Sequence, residues 1–227
     1  MPPSHRSRAV DLRLYALVDP ERAGGRDLAE LAALLAAGGA TLLQLRDKHS
    51  ETRVLVERAR AIKAALAPFH VPLVVNDRVD VALAAGADGV HVGQDDMAVA
   101  DARRLLGPDA IIGLSIKTTA QAERAPVESL DYVGIGGVFT TSSKNNPDPP
   151  IGVAGLARIA NLFRQRAPEL PLCAIAGIDH GNAGSTIAAG ADGVAVISAL
   201  SLAPDPAAAA RDLRGIVDAE LAKRVRR

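Results

Sequence analysis

Two acidic residues stand at the ends of short apolar runs near the middle of the chain. Residues 72–75 end in Asn76-Asp77, and residues 89–92 lead into Gln94-Asp95-Asp96. A helical pattern over residues 79–85 separates them. Strand, helix and parallel strand bring both strand C-termini to one edge of a sheet. Asp77 and Asp96 are therefore expected to face each other there. Two carboxylates at one rim suit a hard cation such as Mg²⁺, with phosphate oxygens and water in its other positions. Each aspartate also precedes a helical pattern, so helix capping is the alternative reading.

Other apolar runs end in residues of matching chemistry. Gln44 and Arg46 are two apart and share one face of a strand. Polar groups facing an apolar interior need partners. A structural ion pair would serve, but Lys48 just beyond favours an anion site. Ser115 either caps the next helix or faces a ligand. The longest loop spans residues 136–150, and long polar loops are often lids or binding loops. Its Thr141, Ser142, Ser143 and Lys144 offer three hydroxyls and an ammonium, which suit phosphate. The alternative is a merely solvated loop. Gly177 would let a ligand approach the backbone closely. With Ile197-Ser198 it fits a phosphate grip of backbone N–H groups and a helix N-terminus. A turn glycine and a capping serine are the plainer reading of these last two.

The elements that must position these residues alternate regularly. Strand patterns cover residues 14–18, 41–45, 72–75, 89–92, 111–114, 132–135, 172–176 and 193–197. Helical patterns follow at 27–37, 51–67, 79–85, 98–106, 119–123, 153–167, 182–189 and 206–223. The strands are apolar on both faces, as parallel strands under helices must be. Eight such units predict an α/β fold, a single-domain (β/α)8 TIM barrel. Its body would span about 13–223, with a short extension over 1–12. An open doubly wound sheet is the runner-up, but no G-x-G-x-x-G turn follows the first strand. An Ala-Gly phrase recurs at residues 36–40, 84–90 and 188–194. It reads as a helix end, a left-handed glycine and the start of the next strand. These turns lie at the face of the barrel that serves stability, opposite the strand C-termini that serve function.

Composition narrows the classes. Lys+Arg and Asp+Glu are both 26, so no net charge steers the chain to nucleic acid or membrane. Aromatics are 2% with no Trp, which removes the usual base-stacking platform. The basic C-terminal end reads as a solvated last helical turn rather than a nucleic-acid patch. Cys173 is the one cysteine, so an intrachain disulfide is excluded and a reducing, cytoplasmic location is expected. The N-terminal segment is basic without an apolar stretch behind it, and no run has the length of a membrane span. The five histidines show no metal spacing, and His91 reads as a satisfied interior residue.

Several phrases resemble the thiamin phosphate synthase family. They are QLRDK at Gln44–Lys48, NDRVDVALAAGADGVHVGQDDM at Asn76–Met97, IGLSIKT at Ile112–Thr118 and GGVFTTSSK at Gly136–Lys144. AIAGI at Ala174–Ile178 and GVAVIS at Gly193–Ser198 add to them. The resemblance runs in order from about Leu14 to Leu200. It implies a barrel that couples an aminopyrimidine methyl diphosphate to a thiazole ethyl phosphate, releasing pyrophosphate, with Mg²⁺ required. By motif, Gln44, Leu45, Arg46, Asp47, Lys48, Asn76, Ser115 and Lys144 would hold the pyrimidine diphosphate. Arg46, Lys48, Ser115 and Lys144 among them would be catalytic. Asp77 and Asp96 would bind Mg²⁺, and Thr141, Ser142, Ser143, Gly177, Ile197 and Ser198 would hold the thiazole phosphate.

Three positions depart from the family's usual phrases. Gly136-Gly137 replaces Gly-Pro, Phe139-Thr140-Thr141 replaces Phe-Pro-Thr, and Ala176-Gly177-Ile178 replaces Gly-Gly-Ile. The first two lose fixed φ angles and loosen the loop. None removes a charge that the chemistry needs. The implied partners are small phosphorylated molecules, with no nucleic acid and no membrane; a homo-oligomer is compatible with the sequence. A thiazole tautomerase on the same barrel is the nearest alternative, but it needs neither the paired carboxylates nor the Gln44–Lys48 grip. A non-catalytic binder of phosphorylated metabolites is the alternative from another class.

Overall fold

Eight short strands are apolar on both faces, so each must be covered twice. In the computed structural model, which describes residues 10–141 and 149–225, they close into one barrel. The strands are β1 (Leu14–Val18), β2 (Leu42–Leu45), β3 (Leu73–Asn76), β4 (Gly89–Val92), β5 (Ile111–Ile116), β6 (Tyr132–Ile135), β7 (Leu172–Ile175) and β8 (Gly193–Val196). Every neighbouring pair is parallel, and β8 pairs with β1. Around them lie α1 (Leu28–Ala37), α2 (Thr52–Leu66), α3 (Val79–Ala85), α4 (Val99–Leu106), α5 (Thr119–Arg124), α6 (Gly152–Arg166), α7 (Ala183–Ala188), α8 (Ser198–Ser201) and α9 (Pro206–Val225). The sequence patterns place the strands and the long helices within two residues of their ends. The four-residue α8 was not anticipated, because one turn carries no readable period.

Alternation along each strand separates two cores. In β1, Leu14, Ala16 and Val18 face the helices, while Tyr15 and Leu17 face the barrel interior. The interior cluster also holds Leu42, Val74, Ile111, Tyr132, Cys173 and Ala195. Val10 and Leu12 join it ahead of β1 and fill the N-terminal end of the barrel. Packing therefore begins a few residues before the expected start of the body at residue 13.

The N-terminal face is held by one repeated device. Thr41, Asp88, Asp131 and Asp192 stand immediately before β2, β4, β6 and β8. Each side chain accepts from a backbone N–H near the start of the preceding strand: Leu14, Leu73, Ile112 and Leu172 respectively, at 2.8–3.1 Å. Lys63, Arg103 and Arg164 pair with the three aspartates. The recurrent Ala-Gly turns lead into this face, with φ of 101° at Gly39, 64° at Gly86 and 117° at Gly190. These contacts satisfy strand-end N–H groups that no ladder reaches. The opposite face is left to carry the polar strand ends.

Candidate active site

The C-terminal ends of the strands surround a cavity of about 280 Å³. Gln44, Arg46, Asn76, Ser115, Thr141, Gly177, Ile197 and Ser198 all line it. Eight residues expected at the site, from six different strand ends, thus meet at one cavity. Arg46 is mostly buried and pairs with the buried Asp19, which follows β1 and caps a short 3-10 turn over Pro20–Arg22. Asp19 escaped the sequence reading because its partner, Arg46, lies beyond a different strand. Its carboxylate fixes where the guanidinium points and offsets the cost of burying that charge.

Asp77 lies beside the cavity, next to Asn76. Its φ is +61°, a conformation in which an L residue is strained. Asn76 donates to its carboxylate at 2.7 Å, and Lys48 pairs with it. Burial pushes the Asp77 carboxyl above its ordinary pKa; Lys48 opposes this, and the nearby Asp96 carboxylate adds to it. The two aspartates therefore do face each other across the sheet edge. Asp96 accepts from the Gly93 N–H at 2.7 Å. Neither caps a helix: the residues at the starts of α3 and α4 are Arg78 and Ala98, and neither helix has a side-chain cap. The donor set is all oxygen, with an ammonium alongside. Among the described residues no group of three or more His, Cys, Asp or Glu could hold a metal. Two carboxylates fit Mg²⁺, which commonly takes one or two from the protein and the rest from phosphate and water.

A buried polar chain crosses the barrel beneath the cavity. Gln44 Nε2 donates to the Tyr15 hydroxyl. Tyr15 and Tyr132 hydroxyls are 2.8 Å apart, Tyr132 Oη is 2.9 Å from His91 Nδ1, and His91 Nε2 is 2.9 Å from Ser115 Oγ. The His91 and Tyr132 rings stack with centroids 5.5 Å apart. Gly113 makes this possible, since a Cβ there would enter the Tyr132 ring. Ser115 does not cap α5; Thr118 does, in a capping box with Gln121. Burial pushes both tyrosine hydroxyls well above their ordinary pKa, so they remain protonated donors. His91 is a satisfied interior residue, as expected, but it also lines the cavity.

The loop after β6 is tied to the end of β7. Val138 and Phe139 N–H groups donate to Ile175 and Ala176, and Ile151 and Gly152 donate back to Gly137 and Val138. Gly177 has φ +66°, and a Cβ there would collide with the Thr140 carbonyl oxygen. Asn182 braces the same turn, donating to the Gly177 carbonyl at 2.8 Å and accepting from the Asp179 N–H at 3.0 Å. The glycine is thus required by loop packing, whatever a ligand also needs.

Leu45 and Asp47 do not reach the cavity with their side chains. Leu45 packs outward beneath the helices. Asp47 accepts from the His49 and Ser50 N–H groups and pairs with Arg58, closing the turn that carries Lys48. Burial raises its pKa, but the Ser50, His49 and Arg58 hydrogen bonds outweigh that and leave it lowered. Ser142, Ser143 and Lys144 lie outside the described residues.

The thiamine monophosphate synthase family model matches residues 14–200. The chain is 54% identical over 215 residues to the thiamine-phosphate synthase of Agrobacterium fabrum, covering 95% of this chain and 98% of that one. This chain belongs to the thiamine-phosphate synthase family. It is 47% identical over 216 residues to the enzyme of that name from Albidiferax ferrireducens, covering 95% and 96% of the two chains. A thiamine phosphate pyrophosphorylase from Pyrococcus furiosus has the same fold, with a TM-score of 0.81 and 35% identity. That match covers 94% of this chain and 98% of the other. The chain is therefore an enzyme of the thiamine-phosphate synthase type, a transferase of thiamine biosynthesis on a TIM barrel. The family's reaction condenses a pyrimidine diphosphate with a thiazole phosphate. Against the family's usual Gly-Gly-Ile, Ala176 adopts φ +86° here, so the substitution puts a Cβ where glycine is favoured. Among the described residues, no helix is long and apolar enough to cross a membrane.

Proposed function

We propose that the cavity and its acidic rim carry out this condensation through separation of charge. The C–O bond of the aminopyrimidine methyl diphosphate breaks first. Pyrophosphate leaves with the bonding electron pair, and a pyrimidinylmethyl cation remains. The thiazole nitrogen then donates its lone pair to that carbon, giving thiamin monophosphate. No proton is removed in forming the new bond, so no strong general base is needed.

The chain's own groups would act on the leaving charge. Arg46, fixed by Asp19, and Lys48 would face the diphosphate, with Lys144 completing the set. Asn76, Ser115 and Gln44 would orient the pyrimidine. Leu45 would contribute backbone alone, and Asp47 would hold the turn that aims Lys48. Asp77 and Asp96 would hold Mg²⁺, whose charge offsets that of the departing diphosphate. Lys48, paired with Asp77 in this structure, would then be released toward phosphate. Thr141, Ser142, Ser143, Gly177, Ile197 and Ser198 would hold the thiazole phosphate, as the loops after the last two strands do in many such barrels. Positioning both substrates in one cavity would supply much of the acceleration. The reading includes a cytoplasmic location.

The observation that carries it is the meeting of Arg46, Asn76, Ser115, Gly177 and Ser198 at one cavity beside paired carboxylates. Calorimetry of the pyrimidine diphosphate with and without Mg²⁺ tests it. Binding that depends on Mg²⁺ and is weakened at least about tenfold in Arg46→Ala is expected, the loss of a charge-assisted contact. Equal affinity without Mg²⁺ would contradict the metal assignment.

A further inference from the structure

Four rings and side chains inside the barrel form a chain that has a direction. Each hydroxyl in it can donate one proton and accept another. Gln44 presents its amide nitrogen to Tyr15 Oη, so that oxygen accepts and the Tyr15 proton is released toward Tyr132, 2.8 Å away. Tyr132 Oη then accepts and must donate onward, to His91 Nδ1 at 2.9 Å. With Nδ1 an acceptor, neutral His91 carries its proton on Nε2 and donates to Ser115 Oγ at 2.9 Å. Ser115 Oγ is then occupied as an acceptor, and its own proton is available to the cavity that Ser115 lines.

We propose that Gln44, Tyr15, Tyr132 and His91 form a one-way hydrogen-bond relay that fixes the Ser115 hydroxyl as a donor toward bound substrate. Tyr132 and His91 are positioning residues: they act on substrate through Ser115. The relay begins and ends at the cavity, since Gln44 lines it as well. Its members come from β1, β2, β4 and β6, Ser115 from β5, and the barrel wall fixes their spacing. Gly113 leaves the space for the Tyr132 ring that links the two halves. Tyr15 packs edge-on to Tyr132 with an interplanar angle of 89°, and His91 stacks against Tyr132. Such a chain strengthens each of its bonds by polarising the next.

The inference rests on the reading that Ser115 contacts substrate, and the two can be tested apart. The ¹⁵N spectrum of the ligand-free wild-type imidazoles tests the relay alone, with the His91 signal assigned from its loss in His91→Gln. An unprotonated Nδ1 and a protonated Nε2 are expected. The reverse tautomer would overturn the relay's direction. In Tyr132→Phe, which keeps the ring and removes the proton for Nδ1, the tautomers should mix or invert. Its kcat should fall about tenfold or more, with a smaller change in KM for the diphosphate, because an orienting contact is lost from the transition state. Ser115→Ala should fall at least as far, and the double variant should fall no further than Ser115→Ala, within about twofold. Multiplying losses in the double variant, or Tyr132→Phe with wild-type kcat, would overturn the proposal. Tyr15→Phe provides the same comparison if Tyr132→Phe does not fold. Cys173→Ala, in the same interior cluster but off the relay, should leave kcat unchanged. Ser115→Ala with wild-type activity would remove the contact reading while leaving the spectrum to judge the relay.

Discussion

Gly177 and Gly86 share one backbone conformation in unlike surroundings. Their φ values are +66° and +64°. A Cβ on Gly86 would meet nothing within 4 Å, whereas a Cβ on Gly177 would strike the Thr140 carbonyl and crowd Phe139. Alanine at either position incurs the left-handed cost of about 1–2 kcal/mol. Reduced freedom of the unfolded chain offsets about 0.5–1 kcal/mol of it. Gly86→Ala should therefore destabilise by about 0.5–1 kcal/mol. Gly177→Ala adds the displacement of packed backbone, about 1–3 kcal/mol. For a domain of this size each kcal/mol lowers Tm by about 2–4 °C. Gly177→Ala should thus melt roughly 2–12 °C below Gly86→Ala, given those same values. Thermal unfolding of the two variants under one set of conditions measures the difference. Gly86→Ala should keep full activity, while Gly177→Ala should lose use of the thiazole phosphate. Equal melting temperatures would refute the collision. The glycine would then be kept for the ligand's approach alone.

Asp77→Asn and Asp96→Asn should each weaken Mg²⁺ and lower turnover by at least about tenfold, with the fold intact by circular dichroism. Unchanged Mg²⁺ dependence in both would remove the metal role. Lys144→Ala should lower kcat more than it weakens ground-state binding of the diphosphate, and a change in KM alone would mark a uniform contact. The Asp47 pKa is depressed in the folded chain, so its stabilisation is complete above the unfolded carboxyl value of about 3.9 and is lost as pH falls through the lower folded value. Asp47→Asn should accordingly flatten the acid limb of stability measured by urea unfolding, and an unaltered acid limb would show that the Ser50, His49 and Arg58 contacts contribute nothing.

The sequence made the barrel readable because its strands are short, apolar on both faces and evenly separated by helical patterns. Residues 14–18, 89–92 and 132–135 form strands with the expected bounds. Strand-end residues of the cavity were readable for the same reason: Gln44, Asn76 and Ser115 each close an apolar run. Capping, the competing role for Asp77 and Asp96, is excluded only by the starts of α3 and α4, where Arg78 and Ala98 stand. What could not be read joins distant strands. Tyr15, His91 and Tyr132 each look like isolated polar rings in apolar runs, and only closure of the barrel brings them within hydrogen-bonding distance. Asp19 likewise gains its meaning from Arg46, twenty-seven residues on. The role of Gly177 in loop packing was hidden because its neighbour in space, Thr140, belongs to a different loop.

Mixing the aminopyrimidine methyl diphosphate and the thiazole ethyl phosphate with the full chain and Mg²⁺ tests the central claim. Thiamin monophosphate and pyrophosphate should appear in equal amounts, with neither formed when Mg²⁺ is chelated. Binding of both substrates without product, or product formed at an undiminished rate in chelator, would contradict the account.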